Sequence, residues 1–254
     1  MCFDLDSHPP IAPIAGGALD SESLTIRPID GTEVAAFRAR AAHPTGAGIV
    51  ILPDVRGLHH YYEELALRFA EAGVDALAID YFGRTAKDLP RDDSFEYMPH
   101  VGQTKFATLG QDIEAAAKEL RRDGRVRSLF TVGFCFGGRL AYLSATLPIH
   151  LAGAIGFYGM PVGGRGDLPA PADVADKMTA PILGLFGGAD QGIPPEAVKQ
   201  FGDALAAAHV RHEIVSYPNT PHSFFDRKAA EFKESSDAAW AKMLEFVKAN
   251  TAKA

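Results

Sequence analysis

The sequence predicts an α/β protein: a mostly parallel central sheet with helices on both faces, opened by an N-terminal β-hairpin. Three observations carry this expectation. Short apolar runs such as Gly48–Leu52 and Leu129–Phe134 lack the polar alternation of a half-exposed strand, and strands buried on both faces read this way. Amphipathic stretches of helical period alternate with these runs, the order that builds a parallel sheet through helical crossovers. The 254 residues, 47% hydrophobic and 22% charged, suffice for one large buried core without disulfide staples, and they fit neither a disordered nor a fibrous chain.

The elements follow in order. Residues 1–22, with Pro9-Pro10, Pro13 and Gly16-Gly17, lack periodicity and are expected to form an extended arm, and residues 23–254 a single domain without linker or repeat. Leu24–Ile29 and Glu33–Arg38 flank Asp30-Gly31, a two-residue turn signal, and give the hairpin. The run Gly48–Leu52 is a strand, Tyr61–Ala72 a helix and Val74–Ile79 a strand. A long helix over Lys105–Arg122 places Leu109, Ile113, Ala116, Ala117 and Leu120 on one stripe. Strands are then expected at Leu129–Phe134, Ala152–Tyr158, Pro181–Phe186 and Glu213–Tyr217, with helices over Arg139–Leu147, Pro195–Ala208 and Ala230–Asn250.

Charge and cysteine content narrow the function. With 25 Lys+Arg against 32 Asp+Glu the net charge is −7, which disfavours a nucleic-acid partner. The densest basic run, Arg121, Arg122, Arg125 and Arg127, is expected to end a helix and complement the negative pole of its dipole. No uncharged apolar run approaches the roughly 18 residues of a membrane span. The first basic residue is Arg27, so no secretory signal is read and the chain is expected to be cytoplasmic, with no membrane partner. Cys2 and Cys135 are then expected as free thiols.

Ligand sites in such sheets lie beyond the carboxyl ends of the strands. Directly after Leu129–Phe134 the chain reads Gly133-Phe134-Cys135-Phe136-Gly137-Gly138, a G-x-C-x-G nucleophile elbow. A sharp strand-to-helix turn strains the central residue, the following helix aims its positive pole at Cys135, and the backbone N–H of Phe136 faces a developing oxyanion. A small buried cysteine in a tight turn is the plain alternative. Two further residues support the catalytic reading. Asp190 in Gly187-Gly188-Ala189-Asp190 follows the run ending at Phe186, and His222 follows the run ending at Tyr217. Nucleophile, acid and base in this order are those of the α/β-hydrolase fold.

The remaining candidates carry less. His59-His60 either lines the mouth of the pocket or introduces the helix at Tyr61. Neither H-E-x-x-H nor a paired C-x-x-C is present, so no metal site is expected. Gly163-Gly164-Arg165-Gly166 matches neither a Walker loop nor a dinucleotide fingerprint and reads as a flexible loop, so no cofactor is expected. Arg84 and Arg56, near strand ends, offer charge-assisted forks for an anion, with surface solvation equally open for Arg56.

With these residues in place the sequence resembles the dienelactone hydrolase (carboxymethylenebutenolidase) family from about Leu24 to Phe246. The resemblance implies a Cys-Asp-His triad of Cys135, Asp190 and His222, with cysteine at the elbow as its most specific mark. It further implies a thiol-modulating carboxylate at Asp54, where the family usually has the longer Glu, and a second oxyanion donor in the N–H of Val55. Arg84, in Asp80-Tyr81-Phe82-Gly83-Arg84, matches a family arginine that grips a substrate carboxylate, and Tyr81 and Arg56 join it as substrate-binding candidates. Arg227 lies one residue beyond the second family arginine, where Asp226 stands instead. The implied activity is hydrolysis of a small-molecule lactone or activated ester through a thiol acyl-enzyme, with or without a carboxylate on the substrate. A general carboxylesterase or thioesterase on neutral substrates, and a non-hydrolytic thiol sensor or binding protein, are the rival readings, and a monomer and a homodimer remain equally open.

Overall fold

The computed structural model describes residues 7–87, 91, 92 and 94–253. Strands β1 (Ala18–Ile26) and β2 (Val34–Ala41) form an antiparallel hairpin in which Ile26 faces Val34. Its turn is longer than the two-residue connection expected at Asp30-Gly31. The N–H of Gly31 donates to the carbonyl of Pro28 at 2.9 Å, so Asp30-Gly31 closes a turn inside the loop Arg27–Glu33. Strand β1 also begins at Ala18, within the stretch expected as arm. Cys2 lies outside the described residues.

The expected alternation follows. Strand β3 (Ala47–Leu52), helix α1 (His60–Glu71), strand β4 (Asp75–Ile79), the short helix α2 (Tyr97–Gly102), helix α3 (Phe106–Arg121) and strand β5 (Ser128–Phe134) form the first half. Helix α4 (Phe136–Ser144), strand β6 (Leu151–Phe157), a 3₁₀ segment (Pro171–Lys177), strand β7 (Ile182–Gly187), helix α5 (Pro195–Ala207), strand β8 (His212–Tyr217) and helix α6 (Lys233–Asn250) complete it. Helix α4 starts at Phe136, three positions before the expected Arg139, which brings its N-terminus against the elbow. Helix α2 and the 3₁₀ segment carry no helical period in the sequence and were not expected.

The eight strands form one sheet in the order β1-β2-β4-β3-β5-β6-β7-β8, parallel from β4 to β8. Strands β3, β4 and β5 are buried along their whole length, as the apolar runs required. The two-residue period splits their side chains between layers. Ile49 and Ile51 join Tyr61, Leu65 and Phe69 of α1 and Met243 of α6, while Val50 and Leu52 join Leu109, Ile113 and Leu120 of α3. The crossover from β3 runs to β4 on one side, and the next strand, β5, returns to the other side of β3, so the chain reverses direction between β3 and β5. A crevice opens at such a reversal, beyond the strand ends.

The basic run is spent within the fold. Arg121 donates to the carbonyls of Ile149 (2.8 Å) and His150 (3.1 Å), Arg125 to Asp75 (3.1 Å) and to the Ala41 carbonyl (2.6 Å), and Arg122 pairs with Glu119 (3.2 Å). Among the described residues no helix is long and apolar enough to cross a membrane.

Two glycines let α4 press against the ends of β3 and β5. A Cβ on Gly133 would lie 1.9 Å from the carbonyl oxygen of Gly137, and one on Gly137 would lie 2.0 Å from that of Leu52. Neither neighbour is a movable side chain, so Gly137→Ala should cost about 3 kcal/mol through forced backbone displacement. Denaturant unfolding of wild type and variant measures it, and equal midpoints would show that the approach is not tight.

Candidate active site

The elbow places Cys135 at φ +55°, ψ −111°, a left-handed conformation that a side chain bearing Cβ rarely adopts. Local bonds hold it there: the Cys135 N–H donates to the Phe157 carbonyl (3.0 Å), and its carbonyl accepts from the N–H of Arg139 (3.2 Å). The thiol is half-buried and lines a cavity of about 470 Å³ shared with Phe136, Arg139, Tyr158, Met160, Val162, Gly163, Gly164, Arg165, Gly192, Ile193 and His222. The cavity lies beyond the ends of β5, β6 and β7.

His222 reaches it on the loop after β8. Its Nδ1 lies 2.6 Å from Oδ2 of Asp190, whose Oδ1 accepts the N–H of Gly192 at 2.8 Å. Asp190 is buried, its side chain only 2% exposed, while the imidazole is 33% exposed and so keeps an open edge. Holding Nδ1 as the donor leaves Nε2 as the basic nitrogen. The Tyr158 ring packs against this imidazole with centroids 4.8 Å apart. The N–H groups of Val55 and Phe136 have no acceptor among the described residues.

Asp54 is fully buried at the end of β3. Its Oδ1 accepts the N–H of Arg56 (2.9 Å), and its own N–H donates to Oη of Tyr62 (3.0 Å). Tyr81 is buried beneath the same loop: its hydroxyl donates to the carbonyls of Pro53 (2.6 Å) and Asp54, and its ring packs 5.7 Å from that of Phe136. Tyr81 therefore shapes the loop that carries Val55 and does not line the cavity.

The arginines expected to bind substrate lie elsewhere. Arg84 donates from Nη2 to Asp112 at 2.7 Å, from Nη1 to Thr32 at 2.9 Å, and also to Asp30, in a separate cavity lined by Thr25, Glu33 and Lys87. This guanidinium holds Asp30 down to about 2, while burial pushes Asp112 up to about 6 despite the same partner. Arg84 is thus consumed by two carboxylates that an isolated motif does not reveal. Arg56 is buried and is not among the cavity residues, and Arg227 is exposed beside Ser7, His8 and Pro10. Two other arginines line the cavity, and one is Arg165, from the glycine-rich segment read as a flexible loop. Its guanidinium stands 5.6 Å from the ring centroid of Phe136, and it has no ion-pair partner among the described residues. Arg139 was also missed. It sits buried in the first turn of α4 and donates to the carbonyls of Met160 (3.4 Å), Gly163 (2.6 Å) and Pro169 (2.7 Å), fixing the wall that carries Arg165.

A buried carboxyl completes the surroundings. Asp226 accepts the hydroxyl of Tyr158 at 2.7 Å and the N–H of Arg227. Burial, with the charge of Asp54 added, pushes it well above the ordinary carboxylate range. An unfolded chain releases that proton near pH 3.9. The folded state therefore binds more protons from about pH 4 upward, and stability falls as pH rises through that interval. Thermal melts across weakly acidic to neutral pH should show this decline and Asp226→Asn should flatten it; an unchanged slope in the variant would assign the decline to another group.

Comparisons with known proteins identify the family. The model of the dienelactone hydrolase family matches residues 34–251. A curated Escherichia coli K12 protein named "Putative carboxymethylenebutenolidase" is 31% identical over 236 residues, covering 89% of this chain and 86% of its own length. The crystal structure of a Klebsiella pneumoniae protein described as a "Putative Dienelactone Hydrolase" superposes with a TM-score of 0.79 at 29% identity, covering 90% of this chain and 98% of that one. A dienelactone hydrolase-like promiscuous phosphotriesterase from metagenomic libraries, 22% identical, shares the fold with a TM-score of 0.74 over 91% of this chain and 99% of that one. The doubly covered sheet, the family match along most of the chain and these relatives together make the chain a member of the dienelactone hydrolase family, a carboxylic ester hydrolase of α/β-hydrolase fold that acts on lactones or esters.

Proposed function

We propose that this hydrolase opens an enol lactone or an activated ester through a thioester on Cys135. The observation that carries the reading is that Cys135, in its strained elbow, and His222, held by Asp190 at 2.6 Å, line one cavity. The Cys135 sulfur attacks the carbonyl carbon. A C–S bond forms, and the carbonyl π pair moves onto oxygen, to which the N–H groups of Val55 and Phe136 donate hydrogen bonds. Collapse breaks the C–O bond, and His222 passes the proton it took from the thiol to the leaving oxygen. Water then attacks the thioester with His222 as base, and the acid departs as the thiol is restored. Thiolate leaves a tetrahedral intermediate more readily than a simple alkoxide does. Productive turnover therefore favours leaving groups stabilised as enolates or phenolates, which an enol lactone or aryl ester supplies.

The cavity also indicates the acyl part. Tyr158, Met160, Val162 and Ile193 give it a mainly apolar wall, and Arg165 supplies one cation. A small, planar, unsaturated acid carrying a second carboxylate suits this lining, with the carboxylate on Arg165 rather than on Arg84.

Two outcomes are expected. Against dienelactone and 4-nitrophenyl acetate, Cys135→Ala should lose the covalent acyl-enzyme seen by intact-mass spectrometry and His222→Ala should lower kcat about a thousandfold; full turnover by Cys135→Ala would sink the mechanism. Arg165→Ala should raise KM about tenfold for the carboxylate-bearing lactone and leave the neutral ester unaffected. Equal losses on both substrates would make Arg165 a wall residue and favour a general esterase.

A further inference from the structure

On the basis of a side-chain cluster that does not line the cavity, we propose that His8, His60 and Glu64 form a divalent transition-metal site, suited to Zn²⁺, that fastens the N-terminal arm to α1. His60 and Glu64 stand one turn apart at the start of α1, on the same face. His8 approaches that face from the arm. The Glu64 carboxylate bridges the two imidazoles: Oε2 lies 2.6 Å from Nδ1 of His8 and Oε1 lies 3.0 Å from Nε2 of His60. One ligand atom from each of the three residues falls within 4.8 Å of the others. Zn²⁺ with nitrogen and carboxylate ligands near 2.1 Å needs donor atoms roughly 3.4 Å apart around a tetrahedron. Small rotations bring these atoms to that spacing, since the side chains of His8 and His60 are 65% and 56% exposed. Two imidazoles and one carboxylate form a borderline donor set that favours Zn²⁺, Ni²⁺ or Co²⁺ over Mg²⁺ or Ca²⁺.

The surroundings supply further parts of a metal centre. Glu63 places Oε2 4.0 Å from Nδ1 of His60, the nitrogen opposite the one facing Glu64. A hydrogen bond there would put the proton on Nδ1 and turn the Nε2 lone pair toward the metal, the arrangement commonly found behind a ligating histidine. Three protein ligands leave a fourth position for water. Loading breaks the N–H bonds that the rings turn toward Glu64: each proton passes to solvent or, through solvent, to the ring's other nitrogen, and the freed lone pair takes the metal.

Binding would order two regions at once. The arm at Ser7, His8 and Pro10 lies over Asp226, Arg227 and Ala230, in the segment that follows His222. The inward face of the same turn of α1 carries Tyr61, which donates to the Phe225 carbonyl (2.8 Å), and Tyr62, which accepts the Asp54 N–H. The site would therefore act as a clasp over the outer side of the loops bearing Val55 and His222.

The test uses the full-length chain without an affinity tag, stripped with a chelator, in a Cys135→Ser background so that the cavity thiol contributes no ligand. Titration calorimetry with ZnCl₂ should give one site per chain, and His8→Ala, His60→Ala and Glu64→Gln should each weaken it at least about tenfold. Hydrogen exchange should show residues 7–15 protected by Zn²⁺ in the parent and unprotected in His8→Ala. No saturable binding in the parent, or binding of equal strength in His8→Ala, would overturn the proposal. All three variants alter exposed or half-buried side chains, and circular dichroism of each verifies the fold. The outcome is independent of whether Cys135 is a nucleophile.

Discussion

The structure turns on one strained residue. Cys135 occupies a left-handed backbone conformation that its Cβ disfavours, and the cost is of the order of 1–3 kcal/mol. What holds it is contact between backbones. Gly133 and Gly137 have no side chains, so α4 can start immediately after β5 and lie against the end of β3. The N-terminal amides of α4 and the sulfur therefore face one point beyond the sheet. A longer turn would relax the strain and separate them. The fully buried strands β3, β4 and β5 supply the rigid frame against which such a turn can be held.

Around that point, charge is arranged by burial as much as by pairing. Asp190 is enclosed, and its two carboxylate oxygens meet Nδ1 of His222 and the N–H of Gly192. Asp226 is enclosed beside Asp54, and its surroundings favour the proton-bearing form. Burial is the larger cause at Asp226, and the charge of Asp54 adds to it. Tyr158 touches both networks, packing on His222 and donating to Asp226. It sits at φ +38°, a second left-handed residue at a strand end bordering the cavity.

Much of this was legible in the sequence. The apolar runs located β3 to β8 within a residue or two, and Cys135, Asp190 and His222 follow three of those runs, because ligand sites in this topology lie beyond strand ends. The arginines were not legible. Arg84 matches a motif, but its fate depends on Asp112, distant in sequence on α3, and on Asp30 in the hairpin. Arg165 lies in a segment whose glycines give no period, and its facing the cavity depends on Arg139, a residue that reads simply as part of a helix. The hairpin turn was misplaced because a tight-turn dipeptide can equally close a turn inside a longer loop, as Pro28 does here with Gly31.

Arg139 has a consequence for how such an enzyme diversifies. Among the described residues its hydrogen bonds to the wall of the cavity go to carbonyl oxygens, those of Met160, Gly163, Leu168 and Pro169. Main-chain oxygens are present whatever the side chains are. Side chains between 160 and 169, apart from Gly163 and Gly166 at positive φ, can therefore be exchanged over evolutionary time, altering the size and charge of the cavity wall, while the path of the loop stays tied to the helix that follows Cys135. Selectivity and reactivity are inherited through different atoms, and one can drift without disturbing the other.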